Sequence, residues 1–217
     1  MPMKRRVSIC LLLGITLIPG FRLCAQELRT GVDFDRMISP KVEVLSKVQL
    51  RKSIPGQNSW YTMAQLGMEY KIFKQVSITA SFRYSLGPSE IGDDSTPVHD
   101  KMRFTADTKV RSKRFDSGVR IRYRLRYHHS STWEGNSRDY LRNKLLLDYN
   151  FNKEMSPYAA AELYFRLGEM EFQKFRLYLG TDIKFFKRNL ELSYILEGDI
   201  DNTYFRSYHM MGLFFHL

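Results

Sequence analysis

The chain has 217 residues, with 34 lysines and arginines against 23 aspartates and glutamates, and its formal net charge is +11. This length predicts a single domain. After residue 26 no apolar run approaches the roughly 20 residues that a membrane-spanning helix needs, which excludes a helical membrane protein. A basic, aromatic-rich chain would suggest nucleic-acid binding only if it remained inside a cell.

The N-terminus has the pattern of a secretory signal peptide. A basic cluster at 4–6 precedes an apolar stretch at 7–18, which is too short for a comfortable transmembrane helix, and a cut is expected after Ala25. We therefore predict a signal peptide at 1–25 and a mature domain at 26–217. Because the mature domain would be exported, we expect no nucleic-acid partner.

Both cysteines of the chain, Cys10 and Cys24, lie in this leader, so the mature domain can form no disulfide. Its stability must then come from a closed and extensive hydrogen-bond framework. Cys24 leaves open a lipid anchor, although Leu23 stands where a lipobox has a small residue. Removal of the leader lowers the net charge from +11 to +7, since it takes away four basic residues. These are Lys4, Arg5, Arg6 and Arg22.

Eleven segments of alternating apolar and polar residues follow the leader, and this period of two predicts β-strands. Each segment is about ten residues long, the length that a tilted strand needs to cross a bilayer. Clusters of turn-forming residues separate the segments, and the longest loop is expected at 87–99. The segments are 28–37, 42–51, 60–72, 76–86, 101–111, 119–127, 140–151, 159–167, 174–185, 190–197 and a last one that ends at 217.

The segment 119–127 shows the alternation without interruption. One face carries Val, Ile, Tyr, Leu and Tyr, and the other carries four arginines. Four adjacent arginines cannot face a dry core, so their face must contact water or counter-charges. The apolar face must then contact either a second sheet or lipid.

These patterns predict an all-β fold: an antiparallel, up-and-down transmembrane β-barrel of 10–12 strands behind a signal peptide. A secreted sandwich is the alternative, but its strands are commonly shorter, around 5–6 residues. Short connections are expected after odd-numbered segments and longer ones after even-numbered segments, which would place the short turns and the chain end in the periplasm. Since bacterial barrels usually have even strand counts, eleven segments leave open a missed short strand near Gln26.

Several stretches of the mature domain follow the pattern of a known family. They are 31–35, 44–51, 120–127, 142–145, 158–162 and 175–180. On these motifs the chain resembles, over nearly all of 27–217, the small outer-membrane barrels filed as domain of unknown function 2490. The resemblance implies an outer-membrane location and no established activity. The last segment also resembles the recognition strand of outer-membrane proteins, although it ends in Leu217 where Phe is common.

If the apolar face contacts lipid, the lumen is strongly charged. The predicted basic lumen residues are Arg103, Arg111, Arg120, Arg122, Arg124, Arg126, Arg142 and Lys144. The predicted acidic lumen residues are Glu162, Asp182, Glu191 and Glu197. A barrel only slightly larger than eight strands leaves little free bore, so we expect an arginine–acid network to fill it. The alternative is a small anion-preferring pore with a basic lining.

A second alternative is a lipid-modifying enzyme of the outer membrane. His128 and Ser130 resemble the His-x-Ser of lipid A deacylases, and at i and i+2 they share one face of a strand. No acidic residue that could orient the histidine is identifiable nearby, and we expect no enzymatic activity. His128 and His129 alone are too few for a metal site, so no metal or cofactor is expected. The expected partners are outer-membrane lipid and the barrel-assembly machinery, with any small-molecule ligand unidentified.

Overall fold

A computed structural model describes residues 27–53, 60–88, 98–132, 135–152, 154–185, 188–200 and 207–216. Across these residues the chain is all-β, with eleven strands and no helix. The predicted signal peptide and its cleavage site lie outside the described residues. The strands are β1 Glu27–Met37, β2 Val42–Ser53, β3 Trp60–Lys71, β4 Val76–Pro88, β5 Val98–Arg111, β6 Val119–Thr132, β7 Ser137–Tyr149, β8 Met155–Arg166, β9 Glu171–Phe185, β10 Arg188–Asp199 and β11 Ser207–His216.

The strands form a closed barrel in which each strand pairs with its neighbours in the chain, as predicted. Consecutive strands are antiparallel, whereas β1 and β11 pair in parallel from Glu27 opposite Met210 to Asp33 opposite His216. The parallel seam follows from the odd strand count, because an up-and-down barrel with an odd number of strands closes on two strands that run the same way. Eleven strands lie within the predicted range of 10–12.

Most strands extend beyond the predicted segments, and β6 and β8 do so furthest. β6 continues to Thr132, since residues 128–132 pair with both β5 and β7. β8 begins at Met155, where the sequence pattern indicated a turn. The prediction of longer connections after the sixth and eighth segments is therefore wrong, because these connections span only 133–136 and 167–170. We call the barrel end with the connections after odd-numbered strands the turn end, and the opposite end the loop end.

The alternation of side chains gives the barrel an apolar outside and a polar inside. Large apolar side chains of the outward face are exposed, among them Leu66 (61%), Leu179 (61%) and Phe82 (50%). The most buried side chains are inward-facing and mostly polar or charged. The described strands belong to one sheet, so no second sheet in this part of the chain covers the outward leucines.

A small apolar cluster lies inside the barrel where β8 to β11 meet. It consists of Tyr158, Ala160, Tyr178, Ile195 and Met210. Gly180 of β9 makes this packing possible, because a Cβ at this position would lie 2.5 Å from Cζ of Tyr158 on the paired strand β8. No helix among the described residues is long and apolar enough to span a membrane.

Candidate functional site

The inward face of β6 to β9 converges on one carboxylate, Glu162. Its side chain is completely buried. Arg142 Nη2 donates to both carboxylate oxygens at 2.9 Å, and Arg124 Nη2 donates to Oε1 at 3.2 Å. The hydroxyls of Tyr178 and Tyr164 donate to Oε2 at 2.5 and 3.3 Å. Four strands therefore place donors around a single acid, which offsets the loss of its hydration.

Tyrosine rings support the cations around this carboxylate. The guanidinium of Arg142 lies 4.3 Å from the centroid of the Tyr164 ring, and that of Arg176 lies 4.9 Å from it. Lys144 Nζ lies 3.5 Å from the centroid of the Tyr178 ring. Cations over aromatic faces are attracted by the ring quadrupole, and the attraction is stronger when the pair is desolvated. The tyrosines thus both hydrogen-bond the acid and stabilise its cationic neighbours.

Two further acids on the walls of the barrel bind guanidinium groups. Arg126 makes a bidentate pair with Asp107, its register partner, with both nitrogen–oxygen distances at 2.5 Å. At the loop end Glu197 accepts from Arg176 and from Lys174, the latter at 3.2 Å. These pairs join adjacent strands, so the network follows the wall of the barrel.

One acid at the turn end is shared by several arginines. Asp148 lies 2.9 Å from Arg114 and 3.0 Å from both Arg120 and Arg122. Its side chain is 4% exposed. One carboxylate therefore faces three guanidinium groups, which leaves an excess of positive charge at this wall.

Three arginines toward the loop end have little or no acidic compensation. Arg83 donates through Nε and Nη2 to Oε1 of Gln65 at 3.0 and 2.6 Å, and Arg51 lies 3.9 Å from Glu27. Within the described part of the chain, Arg103 has no carboxylate within 4.0 Å, and its buried Nε has no hydrogen-bond partner. The three guanidinium groups carry like charges and repel one another.

The structure also groups two of the predicted lumen acids with a histidine. Asp182, Glu191 and His216 bring one ligand atom each within 4.8 Å of one another. The ring nitrogens of His216 lie 3.5 Å from Glu191 and 3.4 Å from Asp33, and Tyr158 donates to Glu191. An imidazole and two carboxylates form a donor set that divalent first-row metal ions accept. In the described residues this is the one group of three side chains that could hold a metal ion.

The predicted lumen residues thus separate into distinct groups. Arg124, Arg142 and Lys144 surround Glu162, Arg126 binds Asp107, and Arg120 and Arg122 share Asp148. Arg111 is exposed at the turn end, where its Nε donates to the carbonyl of Lys74 at 2.9 Å. Glu197 pairs with cations from β9 that the prediction did not include.

Sequence reasoning missed members of the network that the alternation could have identified. Asp107 and Asp148 have the same strand parity as their arginine partners, but the predicted acidic set does not include them. Tyr164 and Tyr178 share the inward face with Glu162 and Arg176. Tyrosine is common on either face of a strand, so its type alone carried no signal.

The His-x-Ser pair lies inside the barrel. His128 and Ser130 are 3% and 5% exposed, and the His128 ring packs on Tyr140 with centroids 4.9 Å apart. Nδ1 of His128 is buried without a hydrogen-bond partner, and among the described contacts none joins the histidine to the serine hydroxyl. A base activates a nucleophile only within hydrogen-bond reach.

Comparison with known proteins identifies a family. The family described as "Protein of unknown function (DUF2490)" matches residues 30–202. The family predicted from the strand motifs is therefore confirmed. No curated protein sequence matches the chain.

Proposed function

Because the chain belongs to the DUF2490 family of proteins of unknown function and folds as a closed barrel, we propose that it is an integral protein of the bacterial outer membrane. In this proposal residues 1–25 direct export and are removed. The barrel-assembly machinery then inserts residues 26–217. The turn end faces the periplasm and the loop end faces the exterior, as in other barrels of this kind.

The distribution of apolar side chains carries this proposal. Soluble monomers rarely expose contiguous apolar patches larger than a few hundred Å². Here outward side chains such as Leu145 (49%), Leu163 (43%) and Leu177 (45%) are exposed on three successive strands. The strands contain 10 to 15 residues, enough to cross a hydrocarbon layer at a tilt. Lipid would remove this apolar surface from water.

We further propose that the barrel is closed to ions because side chains occupy its interior. Glu162 is completely buried among donors from four strands, and Arg142 is 6% exposed. A hydrated ion would have to displace these charge-assisted hydrogen bonds in order to pass. The network would therefore stiffen the barrel and obstruct conduction.

Planar-bilayer recordings of the purified protein test this proposal. The wild type should give no stepwise current. A variant with Arg142→Ala and Glu162→Ala should show discrete openings, because it lacks the central pair. Stable single-channel steps in the wild type would refute the closed barrel.

The second candidate is a small anion-preferring pore, and the three guanidinium groups of Arg51, Arg83 and Arg103 favour it. A lining with uncompensated positive charge attracts anions and excludes cations. If wild-type currents are observed, their reversal potential in a salt gradient should indicate anion selectivity. The Arg103→Gln variant should weaken that selectivity, since Arg103 has no carboxylate within 4.0 Å in the described part of the barrel.

We propose no hydrolytic role for His128 and Ser130. Both side chains are inside the barrel, whereas a deacylase must reach acyl chains on its lipid-facing side. Mass spectra of lipid A from cells that overproduce the protein should be unchanged. Loss of an acyl chain that depends on Ser130 would establish the enzymatic alternative.

A further inference from the structure

A cavity opens inside the rim of the barrel at the turn end. Its volume is about 360 Å³, and its walls are formed by the β3–β4 turn, the adjoining ends of β3 and β4, and residues of β5, β6 and β7. Seven lysines and arginines line it against a single acid, Glu69.

Four of these seven cations make ion pairs, and the three others make none among the described residues. Lys71 pairs with Glu43 at 2.8 Å. Lys109 pairs with Glu69 at 2.5 Å. No carboxylate of the described residues lies within 4.0 Å of Lys144 or Arg111, and Lys144 is held only over a tyrosine ring. These two side chains are therefore available to a ligand.

Two arginines of the cavity wall share their carboxylate partners with other arginines. Arg122 is one of three guanidinium groups on Asp148. Arg124 shares Glu162 with Arg142, and its buried Nε has no hydrogen-bond partner. One carboxylate cannot satisfy the donors of two or three guanidinium groups. Charge that is withdrawn from water without full compensation is unfavourable, so an anion in the cavity would relieve it.

The donor types indicate what kind of anion fits. Guanidinium groups form bidentate hydrogen bonds with phosphate oxygens, and an ammonium group adds a point charge. A volume of about 360 Å³ is at the small end of the range for ligand pockets. The sheet separates the inward-facing cations from the outer surface of the barrel, so a lipid headgroup is a poor occupant.

We propose that this cavity is a binding site for a small, soluble, multiply charged anion of the phosphate class, held by Arg111, Arg122, Arg124 and Lys144. The site goes beyond the closed barrel proposed above, because binding at the rim requires neither conduction nor its absence.

Calorimetric titration of the full-length protein, purified in a neutral detergent at low salt, tests the site with inorganic pyrophosphate as the probe. The wild type should bind one pyrophosphate. A double variant with Arg111→Gln and Lys144→Met should bind at least about tenfold more weakly, since hydrogen bonds to charged groups are lost. The matched control is Arg138→Gln, which removes an exposed arginine at the other end of β7 and should leave affinity unchanged.

A third variant should gain affinity for pyrophosphate, a result that a misfolded protein would not give. Glu69→Gln removes the acid of the cavity and releases Lys109, so pyrophosphate should bind more tightly than to the wild type. Absence of binding to the wild type would overturn the proposal, as would equal losses in the double variant and in Arg138→Gln. Bilayer recordings report on the closed barrel separately, so currents together with pyrophosphate binding would refute that proposal and leave this site standing.

Discussion

Replacement of Glu162 by glutamine tests the interior network most severely. The substitution keeps the size of the side chain but removes the charge, and the new amide would direct donors at Arg142. The side chain of Arg142 is 7% exposed and has almost no access to bulk water, whereas that of Arg124 is 25% exposed and can be partly hydrated. Loss of one partner of a buried ion pair typically destabilises a protein by about 3–5 kcal/mol. Since only Arg142 would lack both a carboxylate partner and substantial hydration, we expect the free energy of unfolding to fall by about 3 kcal/mol, near the lower limit.

The matched control is Glu169→Gln in the β8–β9 turn. Glu169 pairs with Arg166 at 2.5 Å, but its side chain is 45% exposed. Exposed ion pairs contribute about 0–1 kcal/mol, so this variant should remain close to the wild type. Equilibrium unfolding in urea, followed by tryptophan fluorescence in detergent micelles, gives both free energies. Equal stabilities for the two variants would refute the view that Glu162 organises the interior.

Three further predictions concern packing, the outer face and orientation. Gly180→Ala should lower the free energy of unfolding by about 1–3 kcal/mol, because its Cβ would collide with Tyr158, whereas Gly168→Ala has open space and should be neutral when measured by the same urea titration. Leu145→Arg should lower the free energy of unfolding in lipid vesicles by about 2–4 kcal/mol if this side chain contacts the bilayer midplane, while Met170→Arg in an exposed turn should not. Heat-modifiability gels measure the folded fraction, and equal fractions for the two variants would contradict the lipid contact. A membrane-impermeant maleimide should label Gly168→Cys but not Lys113→Cys on intact cells, and the reverse pattern would invert the proposed orientation.

Side-chain alternation was sufficient to predict which face of each strand is charged. In β6 the four arginines and His128 follow one another at every second position, so their common face needed no knowledge of the partner strands. By the same alternation, Leu145 lies on the outward face of β7 and Lys144 on the inward face. These predictions depend only on the local backbone.

The register and the ends of the strands could not be predicted from the sequence, because they depend on which residues pair. The pairing of 128–132 with both neighbours extends β6 past its alternating segment. The sharing of Asp148 by three guanidinium groups depends on the β6–β7 register and on the position of Arg114 in the preceding turn. The parallel seam between β1 and β11 joins the two ends of the chain, and no local pattern encodes such a contact.

The most direct test compares two neighbouring positions of β7. Residues 26–217 contain no cysteine, so in this part of the chain Leu145→Cys and Lys144→Cys each provide a single site for an environment-sensitive fluorophore in lipid vesicles. We predict that the label at 145 is strongly emissive and is quenched by nitroxides on the lipid chains, whereas the label at 144 is quenched by aqueous iodide and not by those nitroxides. Equal quenching by water-soluble reagents at both positions would contradict a barrel with lipid outside and charge within.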